Sequence, residues 1–243
     1  MANTSPMLMH STYFKLLPSN APDIAEAFMF EALQYLSTSA GLISFWIGER
    51  AADMDRPQND LAYDLAMHQI FKDEAAFDHY NLKDPKHEQF VTDVNKLAPT
   101  TTRRVIDTYL TNLTFGGNAS RSQCIGADGN IPQSLFHSIY FSLVDKSAAN
   151  IAKFTDICAK YLAPHPGIQQ YCCGGLTDIK RDVSVRNFDV GVDIIYESKQ
   201  AYDDYLKSEL HDDFFPATEG MIDGTYIFDS YLKSQSKVYS LTR

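Results

Sequence analysis

The stretch HSTYFKL at residues 10–16 returns as HSIYFSL at residues 137–143. Extension separates a repeat from coincidence, and here the match extends in order along the chain. His10 pairs with His137, Tyr35-Leu36 with Tyr161-Leu162, Gly41 with Gly167, and Gly48 with Gly174. Further on, Tyr63-Asp64 matches Phe188-Asp189, Phe71 matches Tyr196, Tyr80 matches Tyr205, His87 matches His211, and Asp107-Thr-Tyr-Leu matches Asp229-Ser-Tyr-Leu. The offset drifts only from 127 to 122 residues, so the chain must build one unit twice. The units fall at residues 8–110 and 135–232. Residues 111–134, which open TNLTFGGNASRSQCIGADGNIP, are rich in Gly, Ser and Asn without a sustained apolar period and read as a linker. Residues 233–243 are left as a C-terminal tail.

Each unit predicts strand, helix, strand, strand, helix, strand. In the second, LFHSIYFSL alternates at period two, and Ser147 is placed to cap a helix whose Ile151, Phe154, Cys158 and Tyr161 share one stripe. The APHPG turn stops that helix. Strand material follows in IQQYCC and in FDVGVDIIY, Ser198 opens a short helix, and GTYIFDSYL closes the unit. The first unit follows the same plan, with Asn20 ahead of the helix IAEAFMFEALQYL and Asp73 capping AAFDHY. This is an α+β chain of two ferredoxin-like β-α-β-β-α-β repeats. Helices cover one face of each sheet and leave the other apolar face bare, so the two sheets are expected to pack together into one closed α/β barrel, a pseudo-dimer.

Charge narrows the partners. Thirty-one acidic against 21 basic residues give a formal charge of −10, which repels phosphate backbones and anionic membranes and excludes nucleic acid as the expected partner. The opening MANTSPMLMH has neither a basic n-region nor a long apolar stretch, and no run approaches the ~20 apolar residues of a membrane span. A cytoplasmic protein is expected. Cys124, Cys158, Cys172 and Cys173 show no CxxC spacing and read as reduced, mostly buried thiols.

The repeated residues resemble a known family. A His near the start of the first strand, a Pro-Gly or Ala-Gly turn before the second, and a Tyr followed by His after the second helix are similar to the stress-responsive A/B barrel (Dabb) domain of the dimeric α/β-barrel superfamily. The second unit carries these as His137, Pro166-Gly167 and Tyr205 to His211; the first carries them as His10, Ala40-Gly41 and Tyr80 to His87. The resemblance covers about 200 of the 243 residues. Single-domain members are typically homodimers, so a tandem copy implies that dimer fused in one chain, as a monomeric pseudo-dimer or a homodimer of it. Olivetolic acid cyclase-type domains of the family use a Tyr and a His of this motif in an aldol-type cyclisation. The Tyr-x5-His spacing from Tyr205 to His211 looks the same, whereas Tyr80 to His87 holds one extra residue.

The resemblance thus implies a cofactor-independent cyclase, isomerase or lyase acting on a hydrophobic, polyketide-like or aromatic carbonyl compound. In that reading His211 is the general base, Tyr205 donates its hydroxyl to the substrate carbonyl, and His137 orients the substrate or tunes the pair. His87, Tyr80 and His10 are the counterparts in the first unit. Ile139, Phe141, Phe154 and Phe214 would line the ligand space, which suits a small hydrophobic molecule. No metal or organic cofactor is called for: no HxH, HxxxH or HExxH spacing occurs, nor any P-loop, GxSxG or GxGxxG. The alternative stays open that the Tyr-His pair only ties a helix end to the sheet, and that the protein binds a small ligand without turning it over.

Overall fold

A computed structural model describes residues 5–16, 22–99, 101–115 and 133–238, with 234–238 as backbone. Asn20, Cys124 and most of the expected linker lie outside the described residues. The first half runs β1 (Met7–Lys15), α1 (Pro22–Leu36), β2 (Leu42–Arg50), β3 (Leu65–Phe71), α2 (Glu74–Lys83), α3 (Pro85–Leu97) and β4 (Thr102–Phe115). The second runs β5 (Leu135–Leu143), α4 (Ala148–Leu162), β6 (Ile168–Leu176), β7 (Val190–Tyr196), α5 (Lys199–Tyr205), α6 (Glu209–Ala217) and β8 (Ile222–Val238).

The eight strands close into an antiparallel barrel in the order β1-β3-β2-β8-β5-β7-β6-β4. Each half therefore forms a four-stranded sheet, β4-β1-β3-β2 and β8-β5-β7-β6, and the two sheets meet along the seams β2–β8 and β4–β6. The repeated glycines Gly48 and Gly174 sit on those seams. A Cβ on Gly48 would run into the Tyr231 carbonyl, and one on Gly174 into the Tyr109 carbonyl, so only glycine lets the strands approach there.

Closure leaves the central strands no solvent face. Every residue of β3 and β7 is buried, as is the interior of β1. Alternation then sorts their side chains. Leu8, Phe14, Phe45 and Phe71 point outward and pack with Phe28, Phe77 and Phe90 of the first half's helices. Phe141, Val190, Val192 and Ile194 do the same against Phe154, Tyr205 and Phe214 of the second. Tyr13, Tyr140 and Phe228 point inward at one end of the barrel, and Met9, Trp46 and Phe136 at the other. Phe28 and Phe154, fully buried at matching positions, each contribute about 1.5–3 kcal/mol through apolar burial alone.

Local chemistry sets the helix starts. Asp73, Ser147 and Ser198 accept from Ala76, Asn150 and Ala201 backbone N–H groups at the heads of α2, α4 and α5. Each half has one helix more than its sequence pattern predicts. Asp84 ends α2 in extended backbone and caps α3, with Pro85 at its first turn; Ser208 restarts the chain as α6 by accepting from His211 N–H. The Tyr-to-His motif of each half thus bridges two helices. Two strands also pass the expected unit boundaries: β4 continues to Phe115 and β8 to Val238, each prolonged by pairing across a seam. Among the described residues no helix is long and apolar enough to cross a membrane.

Candidate functional site

The two strand histidines face outward, between sheet and helices, and each meets an aspartate on the neighbouring strand. Register pairs His137 with Asp229 and His10 with Asp107. His137 Nδ1 lies 2.5 Å from Asp229 Oδ1, and His10 Nδ1 lies 2.6 Å from Asp107 Oδ1. All four residues are buried. A carboxylate on Nδ1 fixes the ring's orientation and favours the tautomer in which Nε2 carries the lone pair.

The other oxygen of each carboxylate is held from across the barrel. Arg56, in the β2–β3 loop of the first half, donates from Nη2 to Asp229 Oδ2 at 2.6 Å and also hydrogen-bonds the Tyr202 hydroxyl. Asn59 Nδ2 adds a second donor to Asp229 Oδ2 at 2.6 Å. Reciprocally, Arg181 of the β6–β7 loop donates to Asp107 Oδ2 and lies over the Phe77 ring. Burial pushes both carboxyls up, but His137 and Arg56 outweigh it at Asp229, and His10 and Arg181 at Asp107, holding each below the usual aspartate value. Each half's site is therefore completed by an arginine of the other half.

The remaining site residues lie on the helices. In the second half Tyr205 closes α5 and contacts His211 of α6 edge to face, with ring centroids 5.3 Å apart. The buried Tyr205 hydroxyl has no hydrogen-bond partner among the described residues, and burial raises its pKa. His211 Nδ1 is 3.8 Å from Asp212 Oδ1, beyond hydrogen-bonding distance. Desolvation lowers the His211 pKa against the pull of Asp212, with His137 among the charges that lower it further. The His137 ring contacts Tyr202 at 5.1 Å and Tyr196 at 6.4 Å. No hydrogen bond joins His137, Tyr205 and His211 to one another among the described residues.

In the first half Tyr80 packs on His87 at 4.4 Å and on His10 at 6.0 Å. Desolvation, with His10 nearby, lowers His87 to about 4. Thr12 Oγ1 occupies His10 Nε2 at 3.2 Å; the matching residue in the second half is Ile139, which has no hydroxyl. Only Nδ1 of His137 is hydrogen-bonded among the described residues.

The four apolar positions read as ligand lining also fall in this region. Phe141 lies 5.1 Å from Phe154 and 6.1 Å from Phe214, and Phe154 lies 6.4 Å from Phe214, ring to ring. Ile139 packs half-buried against the same cluster. The three phenylalanines pack on one another between sheet and helices.

Asp107, Asp229, Arg56, Arg181 and Tyr202 are the site residues that sequence reasoning passed over. For the aspartates a signal existed: they head the repeated Asp-Thr-Tyr-Leu and Asp-Ser-Tyr-Leu, and a ferredoxin-like sheet sets its first and last strands side by side. The arginines gave a fainter one: Arg56 and Arg181 stand 125 residues apart, the offset of Tyr63 and Phe188, but the residues that follow them, Pro-Gln-Asn and Asp-Val-Ser, share nothing.

Comparison with solved structures supports the architecture. A candidate monooxygenase from Lactobacillus acidophilus superposes with a TM-score of 0.67 at 15% identity, covering 96% of this chain and 97% of that one. A candidate monooxygenase from Fusobacterium nucleatum gives 0.68 at 11% identity, covering 98% and 97%. An anthrone oxidase-like protein gives 0.60 at 9% identity, covering 98% and 95%. At these identities the likeness shows a shared fold across the whole chain and no more. No protein-family model and no curated protein matches the sequence.

Proposed function

We propose that the chain is an enzyme that removes a proton beside a carbonyl of a small hydrophobic, aromatic or polyketide-like compound, and that the second half holds the working site. One observation carries the reading: His137 has Nδ1 fixed to the buried Asp229 while Nε2 makes no hydrogen bond among the described residues. An imidazole held in this way presents its lone pair to an incoming C–H, and the proton it takes is balanced by the carboxylate behind it. Tyr205 supplies a phenol with no other partner, suited to donating to the oxygen of the developing enolate. His211, on the helix that faces the strand histidine, is the second imidazole for returning the proton, so His137 and His211 exchange the roles given them above. The buried aromatics Phe141, Phe154 and Phe214 provide an apolar setting for such a compound. One fold neighbour is named anthrone oxidase-like, and anthrone is an aromatic ketone with an acidic methylene. The two halves act as a fused dimer, each lending an arginine to the other, and the chain is expected to be active as a monomer.

A second reading, ligand binding without turnover, is favoured by the mutual packing of Phe141, Phe154 and Phe214, which fills space between sheet and helices. Hydrogen–deuterium exchange of the anthrone methylene, followed by NMR, separates the two. Acceleration by the protein that His137→Gln removes supports proton abstraction. Saturable binding of anthrone with exchange at the buffer rate supports the binder and sinks the enzyme.

A further inference from the structure

The inner face of the barrel carries chemistry that the outer sites do not use. Ser11 and Tyr13 of β1, and their counterparts Ser138 and Tyr140 of β5, all point into the barrel, back to back with His10 and His137. The third strand of each half adds one titratable group at matching positions, His68 from β3 and Asp193 from β7. His68 Nδ1 lies 3.0 Å from Ser11 Oγ, and Ser11 approaches the Tyr140 phenol. The Tyr140 and Tyr13 hydroxyls lie 3.0 Å apart. Ser138 approaches both phenols and donates to Asp193 Oδ1 at 2.6 Å. All six residues are at most 2% exposed. Four hydroxyls thus lie between an imidazole of one half and a carboxyl of the other, across the axis that relates the halves.

We infer that this closed, uncharged surrounding keeps Asp193 as the neutral acid, and that loss of its proton is the event by which the closed barrel loosens as pH rises. Among the described residues no cation pairs with the carboxyl. The titratable groups around it are Cys172, paired with it on β6, Tyr140 of β5 and Tyr13 of β1. Burial raises all three above their usual values, so they stay uncharged at neutral pH. His137 on β5 and Cys173 on β6 belong to the opposite face of the wall, under the helices. His68, at the far end, is lowered to about 3 by burial and is neutral as well. An ionised Asp193 would therefore be an unpaired charge with one hydroxyl for company.

The sign follows from linkage. An unfolded aspartate ionises near pH 3.9, whereas burial pushes Asp193 up to about 7. Between those limits the folded barrel keeps a proton that the unfolded chain has released. The contribution is fully present below about pH 4, falls as pH rises, and levels off above about 7. His68 acts in the opposite direction, losing stability on acidification, so a difference between variants isolates the carboxyl.

Thermal unfolding of the wild-type chain and of Asp193→Asn, between about pH 4 and 9, tests the proposal. The two midpoints should be close at the acid end, with Asp193→Asn rising progressively above wild type until the difference levels off above neutrality. A difference that does not change with pH overturns the proposal. Should Asp193→Asn not fold, infrared spectroscopy of the wild type decides: a buried carboxylic-acid carbonyl band must be present at pH 5 and fade near neutrality, and its absence at pH 5 is fatal. In Ser138→Ala the carboxyl keeps its place and loses its hydroxyl partner, which favours the ionised form, so the band must persist to higher pH. An unmoved or earlier fading would show that the band is not that of Asp193 and would overturn the proposal.

Discussion

His10 and His137 occupy equivalent strands, and each gives its Nδ1 to an aspartate that an arginine of the other half holds, yet their second nitrogens meet different neighbours. Thr12 binds Nε2 of His10, and the helix above brings Tyr80 to 4.4 Å from His87. In the second half Ile139 replaces Thr12, and Tyr205 stands 5.3 Å from His211 with its hydroxyl unpaired. Duplication has preserved the buried salt-bridged skeleton and altered the parts that would touch a substrate. A charged group buried at one position and left unpartnered by a mutation elsewhere is expensive, so the skeleton resists change. A threonine exchanged for an isoleucine removes the hydroxyl that meets Nε2 in the first half.

That comparison can be attacked at several strengths. The bluntest test is of its symmetric part: Phe28→Ala and Phe154→Ala should each lower unfolding free energy by about 3–5 kcal/mol, measured by denaturant titration. A large cost in one half alone would show that the cores are not equivalent. Next comes the dyad. Asp229→Asn should slow anthrone proton exchange by roughly 10²–10⁴-fold, while Asp107→Asn leaves the rate near wild type and is visible only in stability. Equal losses of rate would place working sites in both halves.

A finer probe exchanges the residues that distinguish the strands. Ile139→Thr should tie up Nε2 of His137 and slow exchange by about fivefold, as one net hydrogen bond of roughly 1 kcal/mol requires. Thr12→Val, freeing His10, should leave activity no lower than wild type. The mildest test is titration of the helix histidines by NMR. His87 should stay neutral until about pH 4, and His211, lowered but nearer solvent, should protonate at a higher pH. Both are depressed below the unfolded value near 6.5. Their contribution to stability is therefore complete above that value and is lost as pH falls through the folded pKa.

The duplication, the strand order and the caps Asp73, Ser147 and Ser198 were legible because they depend on local spacing and side-chain type. The additional helices were less so, since an Asp-Pro or a Ser after a helix marks a stop as readily as a restart, and which it is depends on what packs above. The histidines were legible as candidates, but the grouping was not. Pattern reasoning set His137 with Tyr205 and His211, which are near in the family motif; the fold adds an aspartate 92 residues away, itself held by an arginine from the other unit. The repeat offset aligns Arg56 with Arg181, but nothing in it says that each crosses to the other half.

The exchange of Arg56 and Arg181 between halves makes the two repeats hostage to each other. A lesion in the β2–β3 loop is felt at the site of the second half, and one in the β6–β7 loop at the site of the first, so neither repeat is free to decay even if only one performs chemistry. An idle half would still have to keep its loop, its fold and its seam. Selection on a single site thus suffices to maintain both copies, which accounts for a repeat still readable across an offset of more than 120 residues.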